Sequence, residues 1–279
     1  MPNALDPDSP QGLQFRSRIW RASVPLAVAA AVLACSSVPA PASAAEGQTK
    51  IAQATRPTAP VSVPTNIWAI SRGGQLYDKW WAVLEKDEPK ETHPAYPATG
   101  KQKGAATWRC KECHGWDYKG ADGAYAKGSH FTGIKGVRAV EGVEPARIIE
   151  IIRDKTHRYT EALIPRSAVE KLALFLSMGQ VDMDRYIDRA TKKARGDILR
   201  GAQFFQTICA NCHGFDGKEL NFGNEKEPEY VGTTATENPW EALNKIRFGQ
   251  PGFPMVALGV LDVQTQVDIL SYIQTLPVK

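Results

Sequence analysis

The chain contains Cys110-Lys-Glu-Cys113-His114 and Cys209-Ala-Asn-Cys212-His213, two copies of one C-x-x-C-H pattern. This pattern is the attachment signature of a c-type haem. Cysteines three residues apart lie on neighbouring turns of a helix, so each can form a thioether with one of the two haem vinyl groups. The histidine that follows offers an imidazole to the iron. We therefore expect two covalently attached haem c groups. The expected haem-bearing residues are Cys110, Cys113, Cys209 and Cys212, and the expected iron ligands are His114 and His213.

A single C-x-x-C could also be a redox dithiol, half of a zinc site or a vicinal disulfide. Repetition favours haem, because both copies carry the histidine and both continue with a glycine, Gly115 and Gly214. Each copy is also followed, at a similar distance, by a similar helical pattern. The two motifs use four of the five cysteines, and the fifth is Cys35.

Residues 1–44 have the features of an export signal. Arg16, Arg18 and Arg21 form a basic region, residues 24–34 form an apolar core, and Ala42-Ser43-Ala44 is a small-residue cleavage site. The apolar core is too short to span a bilayer comfortably. The signal predicts that the mature protein works in the periplasm, where c-type haem is attached.

A second interpretation of the same region is a lipoprotein signal. Residues 32–35 read Val-Leu-Ala-Cys, and Cys35 would then become the lipid-carrying first residue. The following segment, residues 45–65, is rich in Pro, Ala and Thr and would serve as a flexible tether. Membrane association is expected only if Cys35 is lipidated or if the protein is part of a membrane complex.

The length of 279 residues, with 43% apolar and 23% charged residues, allows two soluble domains. We predict a mostly α-helical protein with a first domain at residues 66–180, a linker at 181–195 and a second domain at 196–279. Periodic apolar residues predict a first helix over residues 71–85. A polar, proline-marked insertion at residues 87–104 separates that helix from the first motif.

After each motif the two halves run in parallel. Residues 144–153 align without gaps on residues 238–247, and each segment has proline at the first turn of a helix, where the missing N–H costs nothing. Closing helices are predicted at 167–177 and 263–276. The chain is thus an internal repeat of a small helical fold.

The second half resembles class I cytochromes c. In that family a glycine and an aromatic residue, eight and four residues before the first cysteine, let the N-terminal helix cross the C-terminal helix closely. Gly201 and Phe205 occupy these positions, and Tyr272 would be the partner aromatic residue. In the first half the matching pair would be Gly73 and Tyr77, displaced from the motif by the insertion.

The resemblance to dihaem class I cytochromes c covers about residues 67–277. It implies two tandem class I cytochrome c-type helical haem domains that transfer electrons. It also implies a methionine as the distal iron ligand, beside a proline, in the loop before the closing helix. Met255, which follows Pro254, lies in that loop of the second half.

The first half departs from the family pattern, because Glu161 stands at the position that corresponds to Met255. His157 lies in the correct loop a few residues earlier, and bis-histidine ligation would give a haem of lower potential. Met178 and Met183 are further candidates, although Met178 is expected near the end of the closing helix. An open distal position is the remaining alternative. We expect His157 to be the ligand.

Charge is distributed unevenly along the chain. Residues 45–195 hold 25 Lys and Arg against 18 Asp and Glu, whereas residues 196–279 hold 6 against 10. This distribution indicates either ordinary solvated surface charge or two haem edges that face redox partners of opposite charge. The basic residues beside the first motif are Lys101, Lys103, Arg109 and Lys111, and the acidic loop of the second half contains Glu225, Glu227 and Glu229.

Several side chains are expected to be structural. The aromatic stretches around Trp80-Trp81 and Trp116-Tyr118 are more typical of core packing than of an interface. His93 and His130 are expected at the surface or near the haem propionates rather than on an iron.

Two functions are compatible with these features. The sequence has no nucleophile elbow, phosphate-binding loop or second metal motif, so an electron carrier with redox protein partners is the first hypothesis. The alternative is a dihaem oxidoreductase, or the haem subunit of one, with catalysis at the first haem. Rapid binding of carbon monoxide or cyanide at one haem would favour the enzyme. Two low-spin haems inert to both ligands would favour the carrier.

Overall fold

A computed structural model describes residues 65–279, so the predicted export signal and Cys35 lie outside the described residues. Within this part helices and turns alternate and no strand forms; residue pairs Gly120–Lys135 and Ile187–Ala194 form isolated bridges. The predicted mostly α-helical fold is confirmed. The helices are α1 (Thr65–Val83), α2 (Cys110–His114), α3 (Pro145–Ile152), α4 (Arg166–Leu174), α5 (Ile198–Phe204), α6 (Ala210–His213), α7 (Val231–Glu237), α8 (Pro239–Phe248) and α9 (Val263–Ile273). None of the helices in this part of the chain is long and apolar enough to cross a bilayer.

Helix α1 buries one face against the core. Leu76, Tyr77 and Trp80 on that face are at most 1% exposed, which agrees with the predicted core role of the Trp80-Trp81 stretch. The helix spans earlier residues than the predicted 71–85 and ends at Val83, and Lys79 leaves the helical conformation with a φ of −147°. The same face continues over the kink, so the core position of the helix is retained.

Both helix crossings depend on glycine. A Cβ atom on Gly73 of α1 would collide with the carbonyl oxygen of Lys171 on α4, and a Cβ atom on Gly201 of α5 would collide with the carbonyl oxygen of Asp268 on α9. Only glycine permits so close an approach of two backbones. The structure confirms the predicted roles of Gly73 and Gly201, despite the insertion that displaces Gly73 from its motif.

An aromatic pair accompanies each crossing. The rings of Tyr77 and Phe175 have centroids 5.4 Å apart with an interplanar angle of 52°, and the rings of Phe205 and Tyr272 have centroids 5.4 Å apart at 53°. The two halves therefore repeat the same contact almost unchanged. Phe175 is the first-half equivalent of Tyr272.

The closing helices end at other residues than predicted. Helix α4 ends at Leu174 and continues as a π-helical turn, Phe175–Gly179, while α9 ends at Ile273. A second π-helical turn, Phe205–Cys209, joins α5 to α6. Helix α5, this π-helical turn and α6 thus form one helical run into the second motif. The Asp197 side chain caps its start by accepting hydrogen bonds from the N–H groups of Leu199 and Arg200.

The two halves share one hydrophobic core. The Phe175 ring meets the Phe248 ring edge to face at 5.2 Å. Gln75 of α1 donates a 2.8 Å hydrogen bond to the Phe248 carbonyl, and Arg247 donates a 3.0 Å bond to the Gly179 carbonyl. Residues 181–195, predicted as a linker, are packed as well, since Met183 is fully buried.

A buried ionic cluster also joins the halves. The carboxylate of Asp78, which is 1% exposed, accepts hydrogen bonds from Arg109 of the first half and from Lys245 of α8. Lys245 lies 5.2 Å from the ring centroid of Trp116, which is completely buried. Charge pairing and cation–π contact therefore hold α8 against the segment that carries the first motif.

Candidate haem sites

The two C-x-x-C-H motifs have the same backbone structure. Each ends in a glycine of left-handed conformation, with φ of 78° at Gly115 and 76° at Gly214. The N–H groups of Gly120 and Glu219 then bond to the carbonyls of His114 and His213, respectively, at 2.8 and 3.0 Å. Glycine is the usual residue at such a helix C-terminus. The repeated glycine of the sequence is thus explained by the turn that follows each motif.

His114 is held in one tautomer by a backbone oxygen. Its Nδ1 lies 2.7 Å from the Lys135 carbonyl, which can only accept, so Nδ1 carries the proton and Nε2 is left for a metal. Burial lowers the pKa of His114, an effect opposed by the bond to Lys135. The ring is therefore neutral at physiological pH, as a metal ligand must be.

His157 faces His114. The two imidazole rings have centroids 6.2 Å apart and an interplanar angle of 28°. Metal–imidazole nitrogen bonds are about 2 Å long, so two rings on opposite sides of one metal ion have centroids about 6 Å apart. The observed separation is close to the one that two imidazoles on a shared iron ion would have.

The His157 tautomer is selected by Asp154. Oδ1 of Asp154 accepts hydrogen bonds from the backbone N–H of His157 at 2.8 Å and from its ring Nδ1 at 3.1 Å. The second bond leaves Nε2 of His157 for a metal, as at His114. These hydrogen bonds, from His157 and Thr156, keep the pKa of Asp154 below its usual value although burial acts in the opposite direction. A carboxylate that accepts from a ligand histidine is a common feature of metal sites.

The other distal candidates of the first half lie elsewhere. The Met178 side chain is 59% exposed at the end of the first closing helix, and Met183 is fully buried in the core. The side chain of Glu161 pairs with Arg153 at 2.8 Å. Of the candidates for the distal ligand of the first site, His157 is the one that faces His114 in the structure.

The candidate ligands of the second half are His213, at the end of α6, and Met255, in the loop after α8. Nδ1 of His213 is buried and has no hydrogen-bond partner among residues 65–279, and burial lowers the pKa of this histidine. Met255 is half-buried in the loop that joins α8 to α9, as predicted. Gly249 and Gly252, with φ of 81° and 76°, let this loop fold back on the end of α8.

Three of the four motif cysteines lack the lowered pKa that is typical of a redox dithiol. Burial raises the pKa of Cys110 and Cys113 to about 12 and that of Cys209 to about 11, whereas reactive cysteines have lowered pKa values. No group of three or more His, Cys, Asp and Glu in residues 65–279 is placed to hold a metal ion.

The surroundings of the two motifs differ. Lys111 and Glu112, between the cysteines of the first motif, are 6% and 1% exposed, and Glu112 pairs with His130 at 2.8 Å. In the second motif Asn211 and Cys212 are exposed. The cysteine edge of the second site is therefore open to solvent where that of the first is covered.

A surface position, which was one expectation for Arg109, Lys111 and His93, is wrong. Arg109 and Lys111 are 4% and 6% exposed, so they cannot belong to a basic surface; they serve the buried contacts around Asp78, Glu112 and Trp116. His93 is 6% exposed and packs against the ring of Trp108 at 4.4 Å, so it is no surface residue.

Three contributors to the first site escaped the sequence reasoning. Asp154 lies three residues before His157, and a D-x-x-H spacing in a turn could have indicated it. Lys135 acts through its carbonyl, which no side-chain pattern reveals. His93 reaches the site from a segment 64 residues away in the chain.

Comparison with known proteins gives a partial similarity. Over 86 residues the chain is 30% identical to the cytochrome bc1 complex cytochrome c subunit of Mycobacterium bovis and to that of two strains of Mycobacterium tuberculosis. The similar region is 30% of this chain and 30% of each relative, so the chain spans less than a third of their length. No family model matches the chain. The similarity supports a cytochrome c.

Proposed function

We propose that the chain is a periplasmic dihaem c-type cytochrome that passes single electrons between a redox donor and an acceptor of a respiratory or related electron-transport chain. Two complete C-x-x-C-H motifs support two haems, and the similar mycobacterial proteins named above are cytochrome c subunits. The predicted export signal supports the periplasm.

The observation that carries the proposal is the pair formed by His114 and His157. The centroids of the two imidazole rings are 6.2 Å apart. In each ring Nδ1 donates a hydrogen bond to a protein oxygen, so Nε2 is left for iron. An iron held by both imidazoles would have no free position for a substrate. This arrangement favours electron transfer over catalysis at the first site.

Bound haem would supply one-electron redox chemistry, and the protein supplies its ligands and surroundings. At the first site Cys110 and Cys113 would hold the group, and His114 and His157 would ligate iron. At the second site Cys209, Cys212, His213 and Met255 would have the corresponding roles. Trp108, which precedes the first motif by two residues, packs against the buried Tyr159 with ring centroids 5.8 Å apart.

The two sites are expected to differ in reduction potential. A methionine ligand raises the potential of a haem, while two imidazoles, one of them hydrogen-bonded to the carboxylate of Asp154, stabilise the ferric state. The first site should therefore have the lower potential.

A partner within a membrane-bound respiratory complex is part of the proposal. The similar mycobacterial proteins are subunits of the cytochrome bc1 complex. The exposed Lys101 and Lys103 and the acidic loop of the second half provide unlike charges for different partners.

Potentiometric titration with near-infrared spectroscopy tests the proposal on the full-length protein and on His157→Ala and Met255→Ala. We expect a pyridine haemochrome spectrum with two c-type haems per chain. His157→Ala should abolish the bis-histidine signal and Met255→Ala the thioether signal, each without effect on the other haem.

Ligand binding discriminates the carrier from an enzyme. The carrier should bind neither carbon monoxide nor cyanide rapidly at either haem. Rapid binding at the first haem of the unmodified protein would contradict the carrier function and favour the dihaem oxidoreductase. An unchanged near-infrared spectrum in His157→Ala would contradict the assignment of the first distal ligand.

A further inference from the structure

His93 is buried in the insertion of residues 87–104 and makes two hydrogen bonds through its ring. Nε2 lies 2.8 Å from the carbonyl oxygen of His157, and Nδ1 lies 3.1 Å from the backbone nitrogen of Ala95. A carbonyl can only accept and a backbone N–H can only donate. Nε2 is therefore the protonated nitrogen, and His93 donates to the residue proposed as distal ligand.

The other contacts of His93 fix its position. Its backbone N–H donates to Oγ1 of Thr107 at 2.8 Å, and Thr107 donates in turn to the Gly104 carbonyl at 2.6 Å. The ring packs between Trp108 at 4.4 Å and Tyr159 at 5.6 Å. His93 is thus anchored to the turn that directly precedes the first motif.

The loop that His93 contacts needs support. Arg158, next to His157, has a φ of 58°, a left-handed conformation that is unfavourable for a residue with a side chain. On the other side of Arg158 the hydroxyl of Tyr159 donates a 2.7 Å bond to the Trp108 carbonyl. The bonds from His93 and Tyr159 therefore tie both neighbours of Arg158 to the same region before the first motif.

We propose that His93 is a positioning residue for the distal ligand of the first haem, and that the insertion of residues 87–104 serves to hold the His157 loop. The second half has Met255 at the position that the family pattern gives to the distal ligand, and it has no corresponding insertion in its sequence. The insertion thus accompanies the half in which histidine replaces methionine. This inference rests on the proposed function, because it presupposes that His157 ligates iron.

Two substitutions of similar size separate the two ring bonds of His93. The amide of Asn can occupy the place of Nδ1, so His93→Asn retains an acceptor for Ala95 and loses the donor to His157. The longer Gln places its amide nitrogen near Nε2, so His93→Gln retains that donor. Tyr96→Phe is the matched control, because Tyr96 is a buried residue of the same insertion whose hydroxyl accepts from the Gln102 N–H instead.

The measurement is the affinity of the haem-loaded protein for cyanide in the ferric state and for carbon monoxide in the ferrous state. Loss of one buried hydrogen bond is worth about a tenfold change in an equilibrium constant. In His93→Asn we expect about tenfold tighter binding of either ligand at the first haem. In His93→Gln and Tyr96→Phe we expect the wild-type affinity. Amide hydrogen exchange of residues 154–164 should be faster in His93→Asn than in the other two variants.

A merely structural role would lower the thermal stability of His93→Asn without changing the affinity of the first haem, and that result would overturn the proposal. Equal affinities in His93→Asn and His93→Gln would also overturn it. The variant His157→Ala separates the test of the positioning role of His93 from the test of the proposed function. If His157→Ala alters the first haem and His93→Asn does not, the positioning role fails and the proposed function stands. If neither variant alters it, the ligand assignment fails as well.

Discussion

At the scale of single residues, oxygen atoms decide which histidine nitrogen is available at the first site. The Lys135 carbonyl and the Asp154 carboxylate accept from Nδ1 of His114 and His157, respectively. The two acceptors are not equivalent, because only the carboxylate adds negative charge. Asp154 should therefore make His157 the more electron-rich of the two ligands.

Asp154→Asn tests this role. The amide oxygen can still accept the backbone N–H bonds of the turn, but the negative charge is lost. We expect a higher reduction potential at the first haem. We also expect the distal ligand to bind iron about tenfold more weakly. This is the smaller end of the usual effect of a hydrogen-bond partner of a metal ligand, because the side chain of Asp154 is 41% exposed. Potentiometric titration gives the first value and cyanide binding gives the second.

The matched control for Asp154 is Asp188→Asn. Oδ1 of Asp188 accepts from the N–H groups of Ala190 and Thr191 in a similar turn. Both potentials should remain at their wild-type values in this variant. An unchanged first potential in Asp154→Asn would show that the carboxylate does not influence the iron.

At the scale of helices and loops, regular spacing was sufficient for much of the fold. The offsets of Gly201 and Phe205 from Cys209 predict the α5–α9 crossing, and the same offset between Gly73 and Tyr77 identifies α1 although the insertion separates it from its motif. Backbone contact at a crossing is a local requirement for glycine, so it is visible in the sequence. The π-helical turns at 175–179 and 205–209 follow from packing and leave no such pattern.

Contacts between distant segments limited the prediction of the site. Met255 could be placed in its loop because the family pattern continues through the second half. The roles of His93 and Arg109 could not be foreseen, since each depends on a partner far away in the chain, His157 for the first and Asp78 for the second. Charged residues in a sequence suggest a solvent-exposed surface, but they can be buried where they pair with an opposite charge.

Gly201→Ala tests the helix crossing. Its Cβ would collide with the carbonyl of Asp268, so α5 and α9 must separate, at a cost of about 1–3 kcal/mol in the free energy of unfolding. The better helix propensity of alanine, about 1 kcal/mol, offsets only part of this cost. Guanidinium unfolding gives the value, and Gln203→Ala on the exposed side of α5 is the control. Equal unfolding midpoints for Gly201→Ala and the wild type would refute the close contact.

At the scale of the whole described structure, one buried carboxylate connects the two halves. Asp78 accepts hydrogen bonds from Arg109 and Lys245 in a region closed to water. Taking charges out of water is costly, and the opposite charges compensate that cost only while all of them are present. We therefore expect that the loss of one charge of this cluster lowers the free energy of unfolding substantially.

Asp78→Asn removes the negative charge that both cations face. We expect a loss of about 3–5 kcal/mol in the free energy of unfolding, the usual cost of breaking a buried ion pair. Denaturant unfolding of the haem-loaded protein provides the measurement. Glu150→Gln is the control, because its pair with Arg147 is more than half exposed on both sides and should contribute little. A similar stability for the two variants would contradict the structural role of the cluster.

The contact between Phe175 and Phe248 has a consequence for how the two halves could work together. A cut within residues 181–195 would not release two independently folded halves, since each product would present to water the apolar surface that the other now covers. The spacing of the two candidate haem sites is set by packed rings and helices, not by the reach of a tether. Electron exchange within one molecule should accordingly proceed at a rate that does not depend on solvent viscosity.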